Sequence, residues 1–347
     1  MNRHGRHALP LLATALVMAC TGCGGASDST DAPASSASAG TGSGKATKLS
    51  LVAYAVPKPG YDKVIPLFQK TAAGADVSFS QSYGASGDQS RKVASGLATD
   101  VVNFSVEPDV TKLVDQGLVA KDWNAGAHHG IPFGSVVTIV TRKGNPKNVR
   151  TWDDLLKPGL EVVTPNPFSS GSAKWNLLAP YAEKSRGGQD PQAGLAYLRK
   201  LIDGHVKVQP KSGREASETF LQGSGDVLLS YENEALFLER SGEKVEHVTP
   251  ATTFKIENPV AVTANAKSPR QAKAFVDFLY TPQAQTGWAQ AGFRPVDAAV
   301  AKQFAADFPV PAKLYDIADL GGWAKVNDEL FDPDKGSVAK IYDKATS

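Results

Sequence analysis

Thr164-Pro165-Asn166-Pro167-Phe168-Ser169-Ser170-Gly171-Ser172-Ala173-Lys174-Trp175-Asn176 is the stretch on which the reading of this chain turns. Before it, Leu160 to Thr164 alternates in the manner of a strand, and Pro165 and Pro167 end any ladder there. After it, Ala173 to Glu183 carries helix formers with an apolar period of three to four through Trp175, Leu178 and Ala182. The small residues between them form a strand-to-helix turn with Ser169 or Ser170 as the N-cap. A helix start leaves about four N–H groups without intrahelical acceptors, and the dipole adds roughly half a positive charge. Gly171 and the small Ser172 let a ligand approach those groups, and Lys174 is a cation close by. The stretch predicts an anion cradle. Taken alone, an ordinary capped helix is the commoner explanation of such a turn.

A second stretch of the same build changes the balance. Ser78-Phe79-Ser80-Gln81-Ser82 reads as a strand, Tyr83-Gly84-Ala85-Ser86-Gly87-Asp88-Gln89 as a small-residue turn, and Gln89 to Leu97 as a helix. Two such turns at the mouths of two strands direct their N–H groups at one ligand.

Further motifs continue the pattern. They are Arg142-Lys143-Gly144-Asn145-Pro146-Lys147, Thr151-Trp152-Asp153-Asp154-Leu155, Gly225-Asp226-Val227-Leu228, Glu232-Asn233-Glu234-Ala235 and Phe293-Arg294-Pro295. With the two turns they form one colinear series from about Leu51 to the end, and the series resembles the sulfate-binding protein family. Its members are periplasmic or lipid-anchored receptors of sulfate and thiosulfate ABC importers. The resemblance implies an α/β fold of the two-lobed periplasmic-binding-protein (type II) kind, with hinge strands and a ligand cleft between the lobes. Carried over, lobe 1 is residues 49–131 plus 259–347, including the C-terminal helices, and lobe 2 is residues 132–258, with the last section, through Gly321-Gly322-Trp323 to Lys344, packing as helices across the lobes.

The same resemblance assigns site residues. Ser86 stands at a ligand-binding serine, and Ser170, Gly171 and Ser172 at the second turn, where Ser172 replaces a usual glycine. Ala55 takes the place of an aspartate that offers its backbone N–H. Arg214 takes the place of a small residue whose N–H binds the anion; it either leaves the site unchanged or brings a guanidinium to its rim. Tyr231 stands where a tryptophan indole N–H reaches the ligand, and a phenol donates there too. The implied ligand is sulfate, with thiosulfate or another tetrahedral oxyanion (molybdate, phosphate) as the alternative. The implied partners are ABC permease subunits in other chains. The receptor is expected to be a monomer, without cofactor or chemistry.

Length and composition agree. At 347 residues and 41% hydrophobic, the chain exceeds one typical domain and has ample apolar residues for its cores. Met1 to Ala19 reads as a secretory signal, with Arg3 and Arg6 before an apolar run too short to span a bilayer. Leu16-Val17-Met18-Ala19 before Cys20 resembles a lipoprotein processing box, which makes Cys20 the expected lipidated N-terminus, with Cys23 as the alternative. A Cys-X-X-Cys redox pair is disfavoured, because this pair precedes a segment from Gly24 to about Lys48 rich in Ser, Ala, Gly, Thr and Asp. That segment reads as a flexible tether, and the mature protein as anchored to the outer face of the cell membrane. The leader holds two of the 37 basic residues and none of the 35 acidic ones, so the remainder is neutral and shows no bias toward nucleic acid.

From Leu49 onward strand-like and helix-like runs alternate: Leu49–Tyr54, Tyr61–Thr71, Val77–Ser82, Asp88–Leu97, Val101–Phe104, Val110–Gln116, Gly134–Thr141 and Trp152–Leu156. Such alternation predicts parallel α/β units, whose ligands sit outside the carboxyl ends of the strands. All the candidate turns lie there.

Sulfate is a dianion without a proton, so a site made of donors and free of carboxylates suits it, while a buried carboxylate favours protonated phosphate. Other chemistry is weaker on the page. His128 and His129 are adjacent and so do not face one another for a metal. Asp226, Glu232 and Glu234 read as caps or ion pairs. Ser86 and Ser170 have no histidine in their motifs to serve a hydrolase. Trp175, Trp288 and Trp323 read as packing residues.

Overall fold

Three strand–helix units open the computed structural model, which describes residues 47–346, with side chains through residue 343. They are β1 (Thr47–Tyr54), α1 (Lys58–Gln69), β2 (Val77–Gly84), α2 (Ser86–Ala94), β3 (Val101–Asn103) and α3 (Glu107–Asp115). The chain then runs through β4 (Phe133–Arg142), β5 (Val162–Val163), α4 (Gly171–Lys184), α5 (Pro191–Gly204), β6 (Val206–Val208), α6 (Gly213–Leu221), β7 (Val227–Tyr231) and α7 (Glu232–Arg240). It returns through β8 (Val245–Val248), β9 (Thr252–Glu257) and β10 (Val260–Val262). The predicted leader, Cys20, Cys23 and the tether as far as Ala46 lie outside the described residues. The tether stops short of the expected Lys48, since Thr47 and Lys48 already pair with Val77 and Ser78.

The strands form two sheets, one to each α/β lobe. The first has the order β10-β3-β1-β2, with β1 parallel to β2 and β3 and with β10 antiparallel to β3. The inner strands β1 and β3 are covered on both faces and are largely apolar, while the edge strand β2 is mostly polar and exposed. Leu49, Leu51 and Ala53 pack with Tyr61, Phe68 and Trp288, while Val52 turns to Val102, Phe104 and Val110 on the other face. Each such aliphatic side chain contributes about 1.5–3 kcal/mol of burial. The second sheet is mixed: β5 lies parallel to β6 and β7, and β4 runs antiparallel to β7, β8 and β9.

Register places the turns. Tyr54 is level with Gly84, so β1 and β2 end together, and Ala55 and Ser86 follow at one edge. In the second sheet Val163 is level with Leu228, so the turn after β5 and Tyr231 share the facing edge.

Several elements differ from expectation. The expected Leu160–Thr164 strand contracts to Val162–Val163, because the Glu161 N–H goes to the Asp226 carboxylate at 2.9 Å rather than to a ladder. Trp152–Leu156 is one 3-10 turn over Asp153–Leu156. The helix after the first turn begins at Ser86, ahead of the expected Asp88.

The C-terminal segment comprises α8 (Pro269–Phe278), α9 (Pro282–Gln290), β11 (Arg294–Pro295), α10 (Ala298–Gln303), β12 (Lys313–Tyr315), α11 (Trp323–Val326) and α12 (Ser337–Thr346). Its first part packs under the first sheet, through Phe275, Leu279 and Trp288. Its last part packs mainly on the second lobe, and the core it joins also takes in Tyr54, Val56 and Val106 of the first. There β12 pairs with β9, and Trp323, Phe331, Val338 and Ile341 share a core with Trp175, Tyr197 and Leu201 of the second lobe. The edge of β9 and the exposed flank of α4 and α5 supply the partners this amphipathic tail needs.

Candidate functional site

Four strand ends and the helices that follow them meet between the sheets. Helix α4 starts at Gly171 with Ser170 as N-cap, but the Ser170 hydroxyl makes no capping bond. Its N–H is held by the Asn166 carbonyl at 2.8 Å. The donors this turn offers are therefore the first-turn N–H groups of Gly171 and Ser172, which have no intrahelical acceptor, and the two serine hydroxyls. All three residues are buried.

Glycine is required at 171 by proximity. A Cβ there would stand 2.8 Å from Ser105 Cβ and 3.1 Å from Val106 Cγ2. Ser105 follows β3 in the first lobe, so the two lobes touch at this turn. They touch again where Gly87 N–H donates to the Ser169 carbonyl at 3.1 Å.

Ser105 was not among the expected site residues, and it meets three of them, Ser86, Gly171 and Tyr231. Its N–H donates to Ser86 Oγ at 2.9 Å, and its carbonyl accepts from Trp175 Nε1 at 2.8 Å and Asn258 Nδ2 at 2.9 Å. Its hydroxyl pairs with the Tyr231 hydroxyl at 2.7 Å. The only hint in the sequence is position, two residues past a short apolar strand. Nothing local distinguishes it from other serines.

Tyr231 stands at the end of β7, beside Ser105, and is buried. Burial pushes its phenol well above the ordinary range, against the opposing pull of Ser105, Ser172 and Asn258. It stays protonated and able to donate. Tyr54 lies beside it, with ring centroids 6.5 Å apart, and its hydroxyl is buried without a hydrogen-bond partner. Ala55, directly after Tyr54, keeps its N–H at the end of β1 and is partly exposed.

Gly213 and Arg214 open α6. The Gly213 Cβ position lies 3.0 Å from Val56 Cγ2 and 3.1 Å from Ser172 Oγ, so this helix start also meets the junction. The Arg214 guanidinium does not reach the rim, one of the two expected possibilities. It pairs with the fully buried Glu234 at 3.1 Å and lies over the Phe237 ring. Burial raises the Glu234 carboxyl, while Arg214 and then Ser217 pull it down. Lys174 likewise turns away, donating to Asn327 Oδ1 at 2.9 Å.

The expected donors-only surrounding needs one correction. The Ser86 hydroxyl donates to Asp109 Oδ2 at 2.5 Å, so a carboxylate stands one hydroxyl behind the first turn. It lies 23 residues on, and only the pairing of β3 beside β1 brings α3 against α2. Asp109 also lines a cavity of about 720 Å³ that reaches Gly87, Ser170 and Gly171 of the two turns, together with Arg91, Glu107, Lys174 and Asp328. That cavity mixes both signs of charge.

The acids read as ion pairs and caps are so employed. Glu232 takes a two-pronged bond from Arg294 at 2.7 and 2.8 Å, and Asp226 pairs with Lys147 at 3.3 Å. Trp175 and Trp323 pack edge to face, 4.7 Å between ring centroids, and Trp288 is fully buried.

Residues 49–294 match the family described as bacterial extracellular solute-binding protein. The chain is 39% identical over 329 residues to the sulfate-binding protein of Synechococcus elongatus, covering 92% of this chain and 91% of that one. It is 34% identical over 303 residues to the thiosulfate-binding protein of Pseudomonas aeruginosa, covering 84% and 91%. Among solved structures it is similar to the sulfate-binding protein SubI from Mycobacterium tuberculosis H37Rv. The TM-score there is 0.81 at 63% identity, over 82% of this chain and 100% of that one.

Proposed function

The chain belongs to the bacterial extracellular solute-binding proteins, and among them to the sulfate-binding family, and we propose that it captures sulfate between its lobes for a membrane permease. The fold is the two-lobed type II arrangement of that family. One observation carries the reading: the starts of α2, α4 and α6 and the end of β1 converge, with glycines at 171 and 213 where the side chains of Ser105 and Val56 come to within about a van der Waals contact of the backbone. Desolvating a dianion is costly, and many fixed N–H and O–H donors offset it better than mobile lysines. The Gly171 and Ser172 N–H groups, the Ser170 and Ser172 hydroxyls and the Tyr231 phenol supply them from lobe 2. Ala55 and Ser86 face them from lobe 1. From α6 the donors are the N–H groups of Gly213 and Arg214, not the guanidinium. Contacts to both lobes stabilise the closed form by a hinge motion. The protein performs no chemistry, acts as a monomer, and is tethered outside the cell by a lipid on Cys20, or on Cys23.

Thiosulfate is the second reading, favoured by Tyr231, whose phenol is shorter than an indole and accepts as well as donates. An anion competition series followed by tryptophan fluorescence separates the two, since Trp175 bonds directly to Ser105. Saturable quenching by sulfate, undiminished by equal phosphate or molybdate, is the expected result. Preferential displacement by thiosulfate supports the second reading, and no response to either anion contradicts both. Loss of the protein from the membrane fraction on Cys20→Ala tests the anchor.

A further inference from the structure

Ser105 has three polar groups, and two of them are committed. Its N–H goes to Ser86 Oγ at 2.9 Å, and its carbonyl accepts from Trp175 Nε1 at 2.8 Å and Asn258 Nδ2 at 2.9 Å. A carbonyl oxygen has two lone pairs, so that acceptor is full. What remains is the hydroxyl, buried and 2.7 Å from the Tyr231 hydroxyl of the other lobe.

Two hydroxyls at that distance share one hydrogen bond, and either can be its donor. A bound sulfate decides which. The ion only accepts, so Tyr231 contributes to its capture only by pointing its single proton at a sulfate oxygen. The pair with Ser105 then persists only with Ser105 as donor. The Ser105 proton has no competing acceptor nearby: its own carbonyl is full, and Ser86 Oγ is engaged with Asp109 and with the Ser105 N–H. Ser172 and Asn258, the latter anchored on the Ser105 carbonyl, also approach the phenol with their side chains.

We propose that Ser105 is a positioning residue for anion capture: its hydroxyl donates to the Tyr231 oxygen and so turns the phenol proton onto the bound anion. The inference rests on reading the junction as a sulfate site with Tyr231 among its donors. Each hydroxyl keeps its own proton, and only the directions of the two O–H bonds are set. A phenol that accepts a hydrogen bond is also a stronger donor, by roughly 10–30% per bond. Ser105 follows β3 in the first lobe and Tyr231 ends β7 in the second, so the phenol gains this support only where the lobes meet.

Ser105→Ala removes the hydroxyl and leaves the backbone N–H and carbonyl bonds in place, so the variant is expected to fold. In calorimetry it should bind sulfate roughly three- to tenfold more weakly than wild type, a smaller loss than that of Tyr231→Phe. Added to Tyr231→Phe, it should cost less than about threefold more, since no phenol is left to orient. A plain latch between the lobes would show similar coupling, so the direction of the bond is read separately. The isotope-edited infrared C–O stretch of labelled tyrosine separates a phenol that only donates from one that donates and accepts, and Tyr231→Phe identifies the band. With sulfate bound, wild type is expected to show a phenol doing both, and Ser105→Ala a band shifted toward donation alone. The same sulfate-bound band in both proteins overturns the proposal. So does unchanged sulfate affinity in Ser105→Ala, or an equal loss on the wild-type and Tyr231→Phe backgrounds. A Tyr231 band that ignores sulfate while wild type binds it, or no binding by wild type at all, overturns instead the site reading beneath it.

Discussion

The turns at Ser86 and at Ser170 share a build, small residues between a strand and a helix, yet they commit their polar groups differently. At the first, the hydroxyl goes to Asp109 and the Gly87 N–H to the Ser169 carbonyl across the cleft. At the second, no carboxylate touches the turn among the described contacts, and Gly171 admits Ser105 to near contact. The first turn spends these groups on Asp109 and on the lobe contact; the second keeps first-turn N–H groups without intrahelical acceptors. Equal sequence signals at two helix starts thus correspond to unequal use of their polar groups.

The sharpest break of this contrast is Gly171→Ala. Its Cβ would stand 2.8 Å from Ser105 Cβ, so the lobes cannot meet as they do without backbone shift. Sulfate affinity is expected to fall by about a hundredfold or more in calorimetry; unchanged binding would remove this contact from the closed form. Tyr231→Phe keeps the ring and removes one O–H, for an expected loss of roughly ten- to a hundredfold with little change in stability of the ligand-free protein.

The serines test the contrast directly. Ser170→Ala should cost about tenfold, whereas Ser86→Ala at pH 8 should cost less than about threefold, because that hydroxyl is already committed. Equal losses at the two positions would erase the distinction between the turns. The smallest effect on affinity is expected from Arg214→Met, within about threefold of wild type. Its cost appears in urea unfolding instead, at about 3 kcal/mol, since it strands the buried Glu234.

Much of this arrangement was legible in the sequence because it is local. Helix starts, strand ends and prolines act over a few residues, so the Ser86 and Ser170 turns and the strand carrying Tyr231 were placed before any contact was known. Long-range partners were not. Asp109 meets Ser86 only through sheet order, and Ser105 meets Tyr231 across 126 residues. The Arg214 side chain could have gone either way until α6 and α7 were packed together with Glu234 between them. The tail from Lys313 carries an apolar stripe whose partners, on β9 and α5, lie far back in the chain. Periodicity says that a stripe will be buried, not against what.

The central claim is that both turns face one anion, with the second giving most of the donors. A crystal structure with selenate, a heavier analogue of sulfate located by its anomalous scattering, tests it most directly. The account predicts one selenium peak between the lobes, with its oxygens in hydrogen-bond reach of the Gly171 and Ser172 N–H groups and the Tyr231 hydroxyl. A peak beside Arg91 and Lys174, with the Gly171 and Ser172 N–H groups unengaged, would contradict it.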